Sequence, residues 1–211
     1  MLPARPFYML RHGESVANAA GITAGGGLDS PLNEKGRAQA RALSAVIYSI
    51  DLKPTVVYHS SMSRARETAQ IVTAPLKLEM REEHLLREHD VGEWEGVPWV
   101  DTKPRFDRRE NPPGGETMAQ FAQRIQRTMT EIFERDPRLP LMVAHGGVFA
   151  ALGALYEYGM SHIQNCHLHY FEPCAEHDPF PWRVWQFDIE EAGLMRNPAP
   201  FCLSQALSKI A

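Results

Sequence analysis

An arginine and a histidine stand side by side at Arg11-His12, directly after the apolar run Phe7-Tyr8-Met9-Leu10, with Gly13 and Glu14 following. A permanently charged guanidinium suits bidentate contact with phosphate oxygens. A neutral imidazole beside it has a lone pair that can attack phosphorus and later leave. The apolar run reads as a strand and the glycine as a turn into a helix. Both side chains would then lie at a strand's carboxyl end, where open α/β sheets bind ligands.

Two further stretches have the same character. Thr55-Val56-Val57-Tyr58 is β-prone and ends at His59-Ser60-Ser61, and Arg64 opens the helix expected from about Met62 to Thr73, where backbone N–H groups favour an anion. Leu141-Met142-Val143-Ala144 reads as a buried strand ending at His145-Gly146-Gly147. In a parallel sheet these three ends share one edge. Two arginines, two histidines and helix N-termini meeting there describe a phosphate site that needs no metal.

The elements that must position these groups alternate. Asn33 reads as an N-cap with Glu34 in the first turn, and Ala40, Leu43, Ile47 and Ile50 mark one helical face. Lys77 to Met80 reads as another strand. Met118, Phe121, Ile125, Met129, Ile132 and Phe133 share the face of an amphipathic helix, which Asp136, Pro137 and Pro140 end. A further helix is expected from Val148 to Tyr158, and edge strands at His167–Phe171 and Arg183–Ile189. Beyond Glu191 the sequence predicts nothing. The pattern is that of an α/β fold, a three-layer α/β/α sandwich with a mostly parallel central sheet. The segment Leu85–Glu116 is rich in charge, proline and glycine, and about 96–116 of it reads as an inserted lid or substrate loop with one short helix.

The 211 residues are expected to form one domain. A net charge of −4 gives no reason to expect nucleic acid or an anionic membrane surface as partner, so any anion must meet a local cluster of cations. Cys166, Cys174 and Cys202 have no framework spacing and read as reduced thiols. No signal peptide or membrane span is apparent, which predicts a cytoplasmic protein. Oligomeric state cannot be read from the chain.

Four motifs, in order, resemble those of the histidine phosphatase superfamily, the phosphoglycerate mutase-like proteins. They are Arg11-His12-Gly13-Glu14-Ser15 with Asn18 and Asp29–Gly36; Ser60–Ala69; Glu88 with Gly92-Glu93-Trp94-Glu95-Gly96; and Ala144-His145-Gly146-Gly147-Val148. The resemblance spans roughly residues 7 to 155. It implies that His12 is the nucleophile and becomes a phosphohistidine. It implies that Arg11, Arg64 and His145 hold the phosphoryl oxygens with help from Asn18, and that Glu88 donates a proton to the leaving oxygen. Ser15, Thr23 and Gly146 are placed with the substrate, Thr23 through the segment Gly21–Gly27. The chemistry fits these roles, since phosphoryl transfer asks for positioning and stabilised charge, and an alkoxide leaves only with a proton. The expected function is metal-independent hydrolysis of a small phosphorylated metabolite, with no metal or organic cofactor.

A mutase of the glycolytic type is the alternative. Such mutases carry a tyrosine where Val91 stands and a tryptophan where Ala17 stands, and their lid insertion is longer, so the departures favour a phosphatase. The secreted acid phosphatase branch has a further arginine and proline in its first motif and an aspartate after its second histidine; here these places hold Glu14-Ser15 and Gly146. An inert binding module would have lost the nucleophile, an arginine or the acid, and all are present. Lys103, Arg105, Arg108 and Arg109 of the lid could meet a second anionic group, or form only an exposed basic face. Glu14 reads as a counter-charge to an arginine. His167-Leu168-His169 lacks a third ligand at zinc spacing and reads as strand decoration, His177-Asp178 as surface, and Trp94 and Trp99 as lid packing that could also stack on a ligand.

Overall fold

The computed structural model of the chain describes residues 1–160, 163–175, 179–191, 193–199 and 201–203. Its first half contains β1 (Phe7–Arg11), α1 (Val16–Ala19), α2 (Glu34–Val46), β2 (Val56–His59), α3 (Ser63–Thr73) and β3 (Met80–Glu82). Then come α4 (Trp99–Asp107), α5 (Met118–Arg135), β4 (Pro140–Ala144), α6 (Gly146–Leu155) and β5 (Tyr158–Met160). The chain continues with β6 (Leu168–Pro173), β7 (Trp182–Glu190), β8 (Gly193–Pro198) and β9 (Phe201–Leu203).

Seven strands form one sheet in the order β3-β2-β4-β1-β6-β7-β8, and β5 pairs with β9 apart from it. The three pairings among β3, β2, β4 and β1 are parallel; those from β1 outward to β8 are antiparallel. Alternation along β1 decides which layer each side chain joins. Phe7 and Met9 enter a core with α5 and α6, whereas Tyr8 and Leu10 enter a second core with α2 and α3. Both faces are therefore covered, and β1, β2 and β4 are apolar and buried almost throughout. Helix α5 follows its apolar stripe, with Thr117 and Gln120 closing a reciprocal capping box at its start.

The register sets the site. Arg11 of β1 lies opposite Ala144 of β4, and His59 of β2 opposite Val143. His12 N–H then donates to the Ala144 carbonyl, and Ser60 N–H to that of Val143, each at 3.0 Å. All three chemical strand ends share one edge.

Several boundaries differ from the sequence reading. The strand expected at Lys77–Met80 lies at Met80–Glu82, because the helical turn after α3 ends only at Lys77, which adopts φ 51°. Helix α6 begins at Gly146, earlier than Val148, and stops at Leu155; Tyr156 leaves helical geometry and Glu157 turns left-handed (φ 57°). Strand β8 occupies a stretch for which the sequence predicted nothing. Met118 is 38% exposed and so lies off the buried stripe of α5. His177 and Asp178 lie outside the described residues.

Candidate active site

His12 follows β1 directly and is 3% exposed. Its Nδ1 donates to the Gly13 carbonyl (2.6 Å), since a carbonyl can only accept; Nε2 keeps the lone pair and receives Arg64 Nε–H at 3.2 Å. Burial, then the charges of Arg64 and Arg11, hold this imidazole well below the ordinary histidine range. The imidazole is therefore neutral, and the backbone defines which nitrogen keeps the lone pair. The turn needs glycine at Gly13 and Gly36: a Cβ at Gly13 would lie 2.6 Å from the Gly36 carbonyl oxygen, and one at Gly36 2.1 Å from that of Glu14. This close approach brings the start of α2 against the histidine turn.

Arg64 sits in the first turn of α3 and is 2% exposed, the other branches of its guanidinium donating to the carbonyls of Gly25 (3.0 Å) and Leu28 (3.3 Å). Arg11 donates through Nη1 to the Ile163 carbonyl (2.6 Å), and its Nε–H is buried without a partner. His145 caps α6, is fully buried, and lies with its ring centroid 5.2 Å from that of His12. Ser60 Oγ accepts from Met62 N–H and bonds with His145 Nε2 (2.8 Å), and Nδ1 of the same ring is buried without a protein partner among the described residues. Burial, followed by the charge of Arg64, holds this imidazole well below its usual range too. Ser60 thus orients the ring, a role with no sign in the sequence.

Glu88 approaches from the segment before α4. Its Oε1 accepts from His89 N–H (2.9 Å) and its Oε2 from Gly147 N–H (3.1 Å) at the start of α6. Arg124 of α5 holds the segment: it donates to the carbonyls of Leu85, Arg87 and Glu88 and pairs with both carboxylate oxygens of Glu116. Arg124 and Gly147 escaped sequence reasoning. Arg124 lies on a helix face that could equally have been solvated.

Arg11, His12, Arg64 and Glu88 open onto a cavity of about 950 Å³, with Asn18, Thr23 and Gly146 also in its wall. Ser15 does not join them. It is 1% exposed and serves as N-cap of α1, where it and Asn18 satisfy one another's backbone. Asn18 Oδ1 is thereby occupied, and its Nδ2 has no protein partner among the described residues. Asn165, unforeseen, donates to the His12 carbonyl (2.9 Å). Glu14 pairs with Lys35 (2.7 Å) and Asn33 and with no arginine.

Helix α4 and the residues leading into it are tied to the segment Gly21–Gly27: Thr23 N–H donates to the Val97 carbonyl, Trp99 N–H to that of Gly21, and the Thr23 and Thr102 hydroxyls bond at 2.6 Å. The lid arginines point elsewhere. Arg105 lies over the Trp94 ring, Arg108 pairs with Glu110, and neither these nor Arg109 line the cavity; Lys103 does. Trp94 is buried in packing, whereas Trp99 is 48% exposed and faces the cavity. His167 pairs with Asp188, and among the described residues no three His, Cys, Asp or Glu side chains are grouped as a metal site requires.

Residues 7–175, which carry every group of this constellation, match the family model of the histidine phosphatase superfamily, branch 1. The chain belongs to that family. It is 32% identical over 169 residues to a glucosyl-3-phosphoglycerate phosphatase of Mycobacterium tuberculosis, covering 72% of this chain and 74% of that one. It is 28% identical over 209 residues to a 2,3-bisphosphoglycerate-dependent phosphoglycerate mutase 2 of Gloeobacter violaceus, with 91% and 94% covered. The solved structure of a mycobacterial glucosyl-3-phosphoglycerate phosphatase in complex with VO3 superposes with TM-score 0.72 at 28% identity, over 85% of this chain and 97% of that one. Its relatives make this histidine phosphatase a phosphomonoester hydrolase by family, and among the described residues no helix is long and apolar enough to cross a membrane.

Proposed function

We propose that the chain hydrolyses small phosphomonoesters through a phosphohistidine at His12, without a metal. The observation that carries this reading is the state of His12: neutral, its Nδ1 proton engaged by Gly13, its Nε2 lone pair accepting only from Arg64 Nε–H among the described residues, on a cavity that Arg11 and Arg64 also line. In the first step Nε2 attacks phosphorus, the P–N bond forms and the P–O bond to the alcohol breaks. Glu88 gives its proton to the departing oxygen. Arg11 Nε–H, the Arg64 guanidinium, His145 Nδ1–H and Asn18 Nδ2 supply donors to the phosphoryl oxygens as charge spreads over them. In the second step Glu88 takes a proton from water, the water oxygen attacks phosphorus, and the P–N bond breaks to restore neutral His12. The arginines provide the charge stabilisation that a metal would otherwise bring.

The segment 96–116, with α4, acts as the lid within one domain comprising the whole chain. The free thiols of Cys166 and Cys174 fit a reducing, cytoplasmic setting. The match to a mutase over most of the chain favours phosphoryl transfer between positions of a phosphoglycerate as the second reading. Against it, Val91 is buried at the cavity wall in the place of the mutases' tyrosine.

The test is phosphate release from a panel of monoesters in excess chelator, wild type against His12→Ala. The expected result is release by the wild type alone, with labelled phosphate trapped on protein only when His12 is present. Release unchanged in His12→Ala would overturn the mechanism. Isomerisation of phosphoglycerate outrunning its hydrolysis would favour the mutase.

A further inference from the structure

Beyond the phosphate cluster, the charges in the cavity cancel in place. Apart from Arg11, Arg64 and Glu88, the charged side chains that line it among the described residues are Glu14, Lys35, Lys103 and Asp107. These are two ion pairs: Lys35 with Glu14 at 2.7 Å and Lys103 with Asp107 at 2.6 Å. The remaining positive charge, two arginines, matches one phosphoryl dianion once Glu88 carries the proton it must donate. No unpaired cation is left for a second phosphate or a carboxylate. An anion that drew Lys103 away would still face the Asp107 carboxylate, one turn along α4 on the same wall.

Beside the Lys103–Asp107 pair, apolar side chains line the same cavity: Trp99 (48% exposed), Met118 (38% exposed), Phe106 and Val91. Trp99 and Phe106 lie with ring centroids 5.7 Å apart, and Phe106 packs edge-on against buried Trp94. Trp99 is the first residue of α4, whose start is fixed by its N–H bond to the Gly21 carbonyl and by the buried Thr102 hydroxyl on Thr23. A large apolar ring exposed on a fixed mount in a cavity mouth is a stacking surface for a ligand.

We infer that the substrate is a phosphomonoester whose phosphate is its only ionised group and whose alcohol is uncharged with a flat apolar face, laid on Trp99. This rests on the phosphatase reading and narrows it, and it moves recognition away from Arg105, Arg108 and Arg109. Binding energy then comes from ring contact, and the Lys103–Asp107 pair rejects an alcohol that carries its own carboxylate.

The experiment compares kcat/KM for methyl phosphate, benzyl phosphate and 4-carboxybenzyl phosphate, the last two having closely similar leaving groups. Benzyl phosphate should exceed its carboxylated counterpart by about tenfold or more. In Trp99→Ala the benzyl-to-methyl ratio should fall by about tenfold; being a ratio, it is unaffected by the fraction of variant that folds. In Asp107→Asn, which frees Lys103, discrimination against the carboxylate should shrink several-fold. A carboxylated ester used as well as benzyl phosphate, a ratio unmoved by Trp99→Ala, or discrimination unmoved by Asp107→Asn would each overturn the inference while leaving the phosphatase reading intact. Absence of release from all three esters would overturn both.

Discussion

Gly147→Ala isolates the proton donor without touching a reacting group. A Cβ there would lie 2.0 Å from Glu88 Oε1, 3.0 Å from its Cδ and 3.2 Å from the edge of Phe121. Ordinary contact needs about 3.4 Å or more, so the carboxyl must move by more than about 1 Å. It is the far end of a flexible side chain, and the movement costs little. Position 147 lies in the first turn of α6, where alanine gains up to about 1 kcal/mol of helix propensity over glycine. Stability should therefore stay within about 1 kcal/mol of wild type, while the proton donor is displaced from the leaving oxygen. A misplacement of that size can cost about 100-fold, and general acid catalysis supplies about 10²–10⁴. The expected result is a kcat/KM for benzyl phosphate lowered about 100-fold, with a loss below about tenfold for 4-nitrophenyl phosphate, whose phenolate leaves without a proton; kcat/KM ends at phosphohistidine formation and so leaves out the later step in which Glu88 acts on water. Steady-state kinetics on both esters with a thermal melt of each protein make the measurement. Equal losses of kcat/KM on the two esters, with an unchanged melt, would refute the assignment of Glu88 to leaving-group protonation. An unchanged kcat/KM on benzyl phosphate would do the same.

Two further predictions concern what holds the site. Arg124→Gln removes the guanidinium that pairs with Glu116 and binds three carbonyls of the Glu88 segment, and should cost about 3 kcal/mol, lowering the melting temperature by roughly 6–12 °C; Arg124→Lys should rescue little, since lysine lacks the fork, and a melt within 2 °C of wild type would refute the clamp. Acid should destabilise the fold before its carboxylates titrate. Burial pushes His169 down to about 3, and His12 and His145 are held low as well. The unfolded chain binds a proton at each near pH 6.5 and the folded chain does not, so stability falls as pH drops below that value. At pH 5 the cost is about 2 kcal/mol for His169, with the other two in the same direction. Glu14, Glu116 and Asp136 are held below their usual range, so their contributions fade only at lower pH. Melts at pH 7.5 and 5 should show the loss, reduced in His169→Gln; equal stability at both would refute it.

What the sequence revealed and what it concealed divide along a physical line. The three chemical strand ends were legible because buried parallel strands read as short apolar runs, and a histidine or arginine right after such a run stands out. Asn33 and the stripe of α5 were legible for the same local reason. The partners that orient the chemistry were not. Ser60 meets the His145 ring only because β2 and β4 are in register, and Gly147 meets Glu88 only because two segments 59 residues apart converge. Ser15 looked like a ligand group and is a helix cap, a use for which serine is equally suited. For the lid arginines the sequence left anion binding and an exposed face equally open, because composition counts charges without showing that Arg105 lies over Trp94 and Arg108 pairs with Glu110. Strand β8 escaped because an edge strand with one exposed face has too weak a period to announce itself.

The same geometry shows how the site is laid out for a phosphoryl group. Arg11 Nε and His145 Nδ1 are buried without protein partners among the described residues, and Arg64 Nε–H donates to the His12 lone pair. Burial lowers the affinity of both arginines for their protons, which is the signature of charge held out of water. On the proposed mechanism the phosphoryl oxygens would accept from these groups and draw Arg64 Nε–H off His12, baring the lone pair as phosphorus arrives. Donors that are already placed would need no reorganisation as charge develops, which favours the transition state. Neutral histidines are essential to this arrangement. An imidazolium between two arginines would be repelled by both and could not attack, so the burial that weakens the fold in acid also keeps the nucleophile ready.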